Sequence, residues 1–116
     1  MALAAGAGAV LRYLVDRAVV ARLRTQLPLG TFLVNVSGAL LLGLVVGLGA
    51  HHGLGERAVT IVGAGFAGGY TTLSTWAWAT LVLAEEREHR AAVLNVIASI
   101  TVGLLAGAAG LGLARL

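Results

Sequence analysis

The chain is predicted to be an all-α membrane protein of four transmembrane helices, the third of them broken. Three observations predict this. Of its 116 residues, 59% are hydrophobic and 11% charged, whereas a soluble domain carries about 25% charged residues. Residues 25–55, 58–84 and 91–114 hold no Asp, Glu, Lys or Arg, in runs of 31, 27 and 24. Each run exceeds the ~20 residues a helix needs to cross the hydrocarbon layer. The middle run is centred on Gly65-Phe66-Ala67-Gly68-Gly69-Tyr70-Thr71-Thr72-Leu73-Ser74-Thr75-Trp76, which is glycine and hydroxyl rather than leucine.

The first helix is predicted over residues 2–21. It is apolar but carries Arg12, Asp16 and Arg17. It lacks the basic start of a signal peptide, and Arg12 interrupts its apolar run, so it reads as a retained helix. The connector ends in Pro28, which suits the first turn of a new helix. The second span is predicted over 29–50, a loop over 51–57, and the third span over 58–84. Adjacent glycines weaken a helix by about 1 kcal/mol each, so the third span is expected to break near Gly68–Thr71. Unwound backbone at bilayer depth is tolerated only where it is buried in protein or lines a cavity. Such breaks are common ion and substrate sites. A loop over 85–90 and a fourth span over 91–114 complete the chain. Four spans leave no room for a soluble domain, so residues 1–116 read as one transmembrane domain. Glycine pairs Gly43/Gly47, Gly65/Gly69 and Gly103/Gly107 let helix backbones approach closely. A chain this short cannot enclose a wide pore alone, which points to association between subunits.

Charge narrows the function. The net charge is +3, and all eight basic residues are arginines spread over the loops, without the basic stripe of a nucleic-acid binder. There is no cysteine, which excludes disulfides and thiol chemistry. Arg22, Arg24, Arg87 and Arg90 fall in loops one and three, with Arg17 nearby, against Arg57 and Arg115 on the other side. The positive-inside rule puts loops one and three in the cytoplasm and both termini outside. The expected location is therefore the cell (inner or plasma) membrane, crossed several times. Residues 63–68 fit G-x-G-x-x-G but lack the strand and βαβ unit that a nucleotide site needs. His51 and His52 lie in a different loop from His89, on the opposite side, so no zinc set forms within a subunit. No Ser/His/Asp set converges, and an enzyme is not expected.

The polar residues inside the spans are the candidate site. An amide within a membrane helix, such as Asn35, must find partners or bind something. Asn95 and Ser99 lie one helical turn apart on one face. Thr71, Thr72, Ser74 and Thr75 add hydroxyls on the third span, and Trp76 adds an indole N–H beside them. Trp78 suits an interfacial belt. No carboxylate lies deep in spans two to four. Donors without acids suit an anion better than a cation.

With these residues in view, the chain resembles the Fluc/CrcB family of fluoride channels over essentially its whole length. Residues 8–13, GAVLRY, match the family's G-A-x-x-R-Y. Residues 30–43, GTFLVNVSGALLLG, match its G-T-x-x-V-N-x-x-G. Residues 65–75, GFAGGYTTLST, match its G-F-x-G-G-x-T-T-F-S-T. The resemblance implies an antiparallel dimer of four-helix subunits, set in membrane lipid, with two passive fluoride pores. It assigns Asn35 and Ser99 to the pore, and the backbone carbonyls of Gly68 and Thr71 to a structural sodium ion. Arg12 matches the family's first-helix arginine, a structural or vestibule position. Asn35, Ser74, Thr75 and Ser99 would then offer fluoride donors in series. The family's two pore phenylalanines fall at Leu73 and Trp76. Asn95 stands where many members have tyrosine, Ala79 where many have glutamate, and the first helix looks short. These departures, with the arginine bias, suggest one half of a heterodimer with a paralogous subunit rather than a homodimer. Two alternatives are a non-conducting subunit that completes a partner's channel, and a small multidrug exporter using Asp16.

Overall fold

The computed structural model describes residues 1–116 as helices and short connections, with no strand. α1 (Ala2–Arg22) and α2 (Leu29–His52) come first. The third segment is built of α3 (Glu56–Val59), a π-helical stretch (Thr60–Ala67), α4 (Gly68–Tyr70) and α5 (Leu73–Glu85). α6 (His89–Leu113) is the fourth segment. The fold is therefore all-helical in four segments, as the hydropathy pattern predicts.

α2 and α6, at 24 and 25 residues, are long and apolar enough to cross a membrane. At 1.5 Å per residue each spans about 36 Å. α2 runs on through His51 and His52, which were expected in a loop. It stops at Gly53, whose φ of 70° is left-handed and whose N–H returns to the Leu48 carbonyl. Glycine takes that conformation without a Cβ penalty. The connection thus shrinks to Gly53-Leu54-Gly55. α1 has 21 residues, about 31 Å, and is not short as expected. Asp16 of α1 lies against Gly30 in the first turn of α2, where the helix dipole favours a negative charge.

α2 packs centrally, against α6 on one side and α1 with the π-helical stretch on the other. The α2–α6 contact is backbone on backbone. A Cβ on Gly43 would strike the Gly107 carbonyl, and one on Gly110 would strike the Leu40 carbonyl and the backbone of Gly43 and Leu44. Gly103, expected to share this role, faces open space. α1 meets the third segment in the same way, with Gly8 against the Phe66 carbonyl and Gly69 against the Ala5 carbonyl.

Side-chain burial is inverted relative to a water-soluble domain. Only 17 residues are buried, while Leu3, Leu104 and Leu105 are 91%, 71% and 64% exposed. Exposed apolar surface on this scale fits hydrocarbon or a second chain as its neighbour.

The break lies slightly later than the glycines suggest. Gly68 and Gly69 remain helical, and the chain becomes extended at Thr71 and Thr72. Gly69 gives α1 its close approach; it does not unwind the helix. The interruption falls where side chains from α1 and α2 hold the backbone.

Candidate functional site

Two extended residues between α4 and α5 free several peptide groups that a continuous helix would pair. Each freed group needs a partner at this depth. Thr71 keeps its N–H on the Ala67 carbonyl at 2.9 Å and adds its own hydroxyl to the same oxygen at 3.0 Å. Thr72 gives its N–H to Asn35 Oδ1 at 2.8 Å, and Asn35 Nδ2 donates to the Thr72 carbonyl at 2.9 Å. The side-chain amide thus pairs with one peptide unit at two points, standing in for lost helical bonds. Arg12 Nη1 of α1 donates to the Thr71 carbonyl at 3.3 Å. Thr72 Oγ1 accepts the Thr75 N–H at 3.2 Å and starts α5 as its N-cap, a role suited to threonine. The Gly68 carbonyl receives no hydrogen bond, and a Cβ at Gly68 would meet nothing within 4 Å.

A second tether holds the end of α4. Tyr70 is buried, stacks on Phe66 with ring centroids 6.0 Å apart, and has its hydroxyl 2.9 Å from Ser37 Oγ. Ser37 directs its one proton to the Leu33 carbonyl at 2.7 Å. A hydroxyl carries a single donor, so Tyr70 is the donor in that pair.

The candidate residues separate within the subunit. Asn35, Gly68, Thr71, Thr72 and Leu73 line one open groove of about 580 Å³. Leu73 is 75% exposed. Ser74 and Thr75 are exposed at the start of α5, with Thr72 Oγ1 donating to Thr75 Oγ1 at 3.1 Å. Arg12 and Thr75 line a smaller polar pocket of about 160 Å³ with Asp16, Thr31 and Thr72. Asn95 lies in neither. It is 4% exposed, donates from Nδ2 to Thr80 Oγ1 at 2.8 Å, and borders an apolar pocket of about 130 Å³ beside Pro28 and Phe32. Trp76, one turn along α5 from the exposed Leu73, is half-buried. Its Nε1 is buried without a partner, and so is Ser99 Oγ.

Sequence reasoning did not single out Tyr70, Ser37 or Thr80. Thr72 was noted only as one hydroxyl of a cluster; it lacks the Glu or Gln three residues on that would mark an N-cap in sequence. The partners of Tyr70 and Thr80 lie 33 and 15 residues away, and no local pattern marks them.

Comparison with known proteins decides the family. Residues 1–111 match the model of the family described as CrcB-like protein, Camphor Resistance (CrcB). The chain belongs to the CrcB-like family. Its CrcB-like relatives include a protein of Mycolicibacterium paratuberculosis named fluoride-specific ion channel FluC 2. It is 46% identical over 116 residues, covering 100% of this chain and 92% of the relative. A protein of the same name in Mycobacterium tuberculosis is 43% identical, covering 96% and 85%. One of Leifsonia xyli named FluC 1 is 44% identical, covering 97% and 81%. The membrane character read from composition agrees with the two long apolar helices and with CrcB-like relatives named as ion channels.

Proposed function

We propose that this chain is a subunit of a fluoride channel that lets fluoride leave the cell passively, without enzymatic chemistry. The observation that carries the proposal is the break at Thr71–Thr72, held by Asn35 and Arg12, in a chain 46% identical to a protein named as a fluoride-specific channel. Fluoride is small and strongly hydrated, and removing its water without replacement costs tens of kcal/mol. Asn35, Ser74, Thr75, Trp76 and Ser99 supply donors without a carboxylate among them. Binding at each must stay weak enough for the ion to leave.

The working unit is an antiparallel dimer in the cell membrane, crossed several times by each subunit, with loops one and three in the cytoplasm. The open groove beside the break and the outward Leu73 suit cover by a second subunit. This is either another copy or a paralogue, a choice the names FluC 1 and FluC 2 among the relatives make relevant. The donor set fits a structural sodium ion between subunits. The Gly68 carbonyl is free, and the Thr71 carbonyl, bonded once by Arg12, keeps a second lone pair. Such an ion would neutralise carbonyl charge where two breaks meet.

Fluoride efflux from liposomes tests the function. Asn35→Asp can accept the Thr72 N–H but cannot donate to the Thr72 carbonyl, and it adds a negative charge. Efflux is expected to drop to the background of empty vesicles; normal efflux from this variant would overturn the mechanism. A second reading, a non-conducting subunit completing a partner's channel, draws support from Leu73, which offers no donor or ring edge. Unchanged flux from a co-expressed pair carrying Asn35→Asp in this chain would favour it. The multidrug-exporter alternative loses support, because the chain matches the CrcB-like family over residues 1–111.

A further inference from the structure

α2 meets the break through a single helical turn, and three successive residues of the third segment each find a group there. The Tyr70 hydroxyl donates to Ser37 Oγ at 2.9 Å, the Thr71 methyl fills the place that a Cβ on Gly38 would take, and the Thr72 N–H donates to Asn35 Oδ1 at 2.8 Å. Asn35, Gly38, Thr71 and Thr72 line the open groove. Tyr70 and Ser37 do not line it, so their bond acts on the break from behind.

The Thr71 carbonyl and the Thr72 N–H belong to one planar peptide group and point to its opposite edges. Asn35 holds the N–H edge. The carbonyl edge receives Arg12 Nη1 at 3.3 Å and keeps a second lone pair. Thr71 and Thr72 are both extended, so no helical hydrogen bond sets the tilt of this plane. The preceding residue sets it instead. Tyr70 is 7% exposed, and its ring stacks on Phe66 with 11° between the planes. Ser37 has committed its own proton to the Leu33 carbonyl at 2.7 Å, so its oxygen stays an acceptor for the phenol. A stiff side chain fixed at its far end leaves the Tyr70 backbone little room to slide along α2. We propose that Tyr70 and Ser37 are positioning residues for the cation site, whose bond fixes the tilt of the Thr71 carbonyl and so sets how tightly the break holds sodium, and with what preference over potassium. This rests on the sodium reading given above and adds the pair that tunes it. A binding constellation must be held to within about 0.5 Å, and a carbonyl free to swing also suits the larger potassium ion.

Tyr70→Phe keeps the buried ring and deletes only the donor. Ser37→Ala strands the Tyr70 hydroxyl, and the double variant removes both partners. The assembled protein, purified without sodium, is titrated with sodium or potassium against N-methylglucamine at constant ionic strength, and its melting temperature is followed, since an ion bound to the folded state raises it. Tyr70→Phe should raise the sodium midpoint about fivefold, the factor a single hydrogen bond carries, and bring the sodium and potassium midpoints closer together. The double variant should match Tyr70→Phe. Ser37→Ala should melt lowest of the three, because it alone leaves a buried hydroxyl unpaired. Gly43→Ala, which disturbs the α2–α6 contact away from the break, should melt lower than the native protein yet keep the native midpoint. A Tyr70→Phe variant that melts lower with its sodium midpoint unmoved overturns the positioning role and leaves the ion and the channel standing. Gly43→Ala moving the midpoint as far as Tyr70→Phe overturns it equally. A native protein that conducts fluoride but melts alike with and without sodium overturns the ion and its positioning together, and leaves the channel intact. The expected sodium shifts in a protein that passes no fluoride support the positioning and count against the channel.

Discussion

The α2–α6 contact and the α4–α5 break solve the same problem by opposite means. Both bring backbone close to backbone in an apolar setting. Along α2–α6 every peptide group stays in its own helix, and glycines simply remove the side chains in between. At the break the peptide groups leave their helix: an amide from α2 and a guanidinium from α1 take up those of Thr71 and Thr72, and the Thr72 hydroxyl takes up the first N–H of α5. The first region is tolerant of polarity changes but intolerant of volume. The second turns on polar groups: a Cβ at Gly68 meets nothing within its own subunit, and what holds the backbone there is a set of single hydrogen bonds. A transport site needs the second kind, because only peptide groups freed from helical bonds can be offered to an ion.

Four substitutions sharpen or break this contrast, read as unfolding of the detergent-solubilised protein alongside liposome flux. Asn35→Leu keeps bulk but orphans both the N–H and the carbonyl of Thr72, and should cost about 2–4 kcal/mol, allowing for partial burial. It should also abolish flux. Gly43→Ala pushes a methyl into the Gly107 carbonyl and should cost about 1–3 kcal/mol, with flux falling only as far as folded protein is lost. Thr72→Val removes the α5 N-cap and should cost about 1 kcal/mol, with slower flux. Gly103→Ala meets open space and should be neutral or stabilising by up to about 1 kcal/mol. If Gly103→Ala destabilised as much as Gly43→Ala, the contact geometry assigned to α2 and α6 would be wrong.

Much of the architecture was legible because charge is scarce in this chain. The spans predicted within the uncharged runs, 29–50 and 91–114, matched α2 and α6 to within two residues at every end, and the glycine-rich centre of the third run marked an interruption. It was expected near Gly68–Thr71 and falls at Thr71–Thr72, at the far edge of that stretch. Gly68 and Gly69 look like helix breakers, but their lack of side chains serves the approach of α1, while Thr71 and Thr72 do the unwinding. That exchange depends on Asn35, 37 residues away, and no local propensity encodes a bond of that span. Asn35 could be picked out because an amide in a hydrophobic run needs a reason. What it bonds could not, since several hydroxyls and peptide groups were equally suitable partners. Trp76 and Leu73, three residues apart, fall at the family's two pore phenylalanine positions, and the sequence distinguished them by chemistry, not by burial. In the structure Trp76 is half-buried while Leu73 is exposed, a difference in packing that their shared helix does not encode.

The eight residues of Thr60–Ala67, wound with the Gly68 N–H reaching back five positions to Gly63, have an effect on everything after them. A turn of this type holds more residues than an α turn, so it alters the angular phase at which the following residues emerge. Rewound as ordinary α-helix, the stretch would present a different azimuth downstream. Gly69 would no longer meet Ala5, and the two threonines would swing out of reach of the arginine and the asparagine. The stretch therefore acts as a rotational shim, and its winding sets the aim of the whole downstream half of the segment.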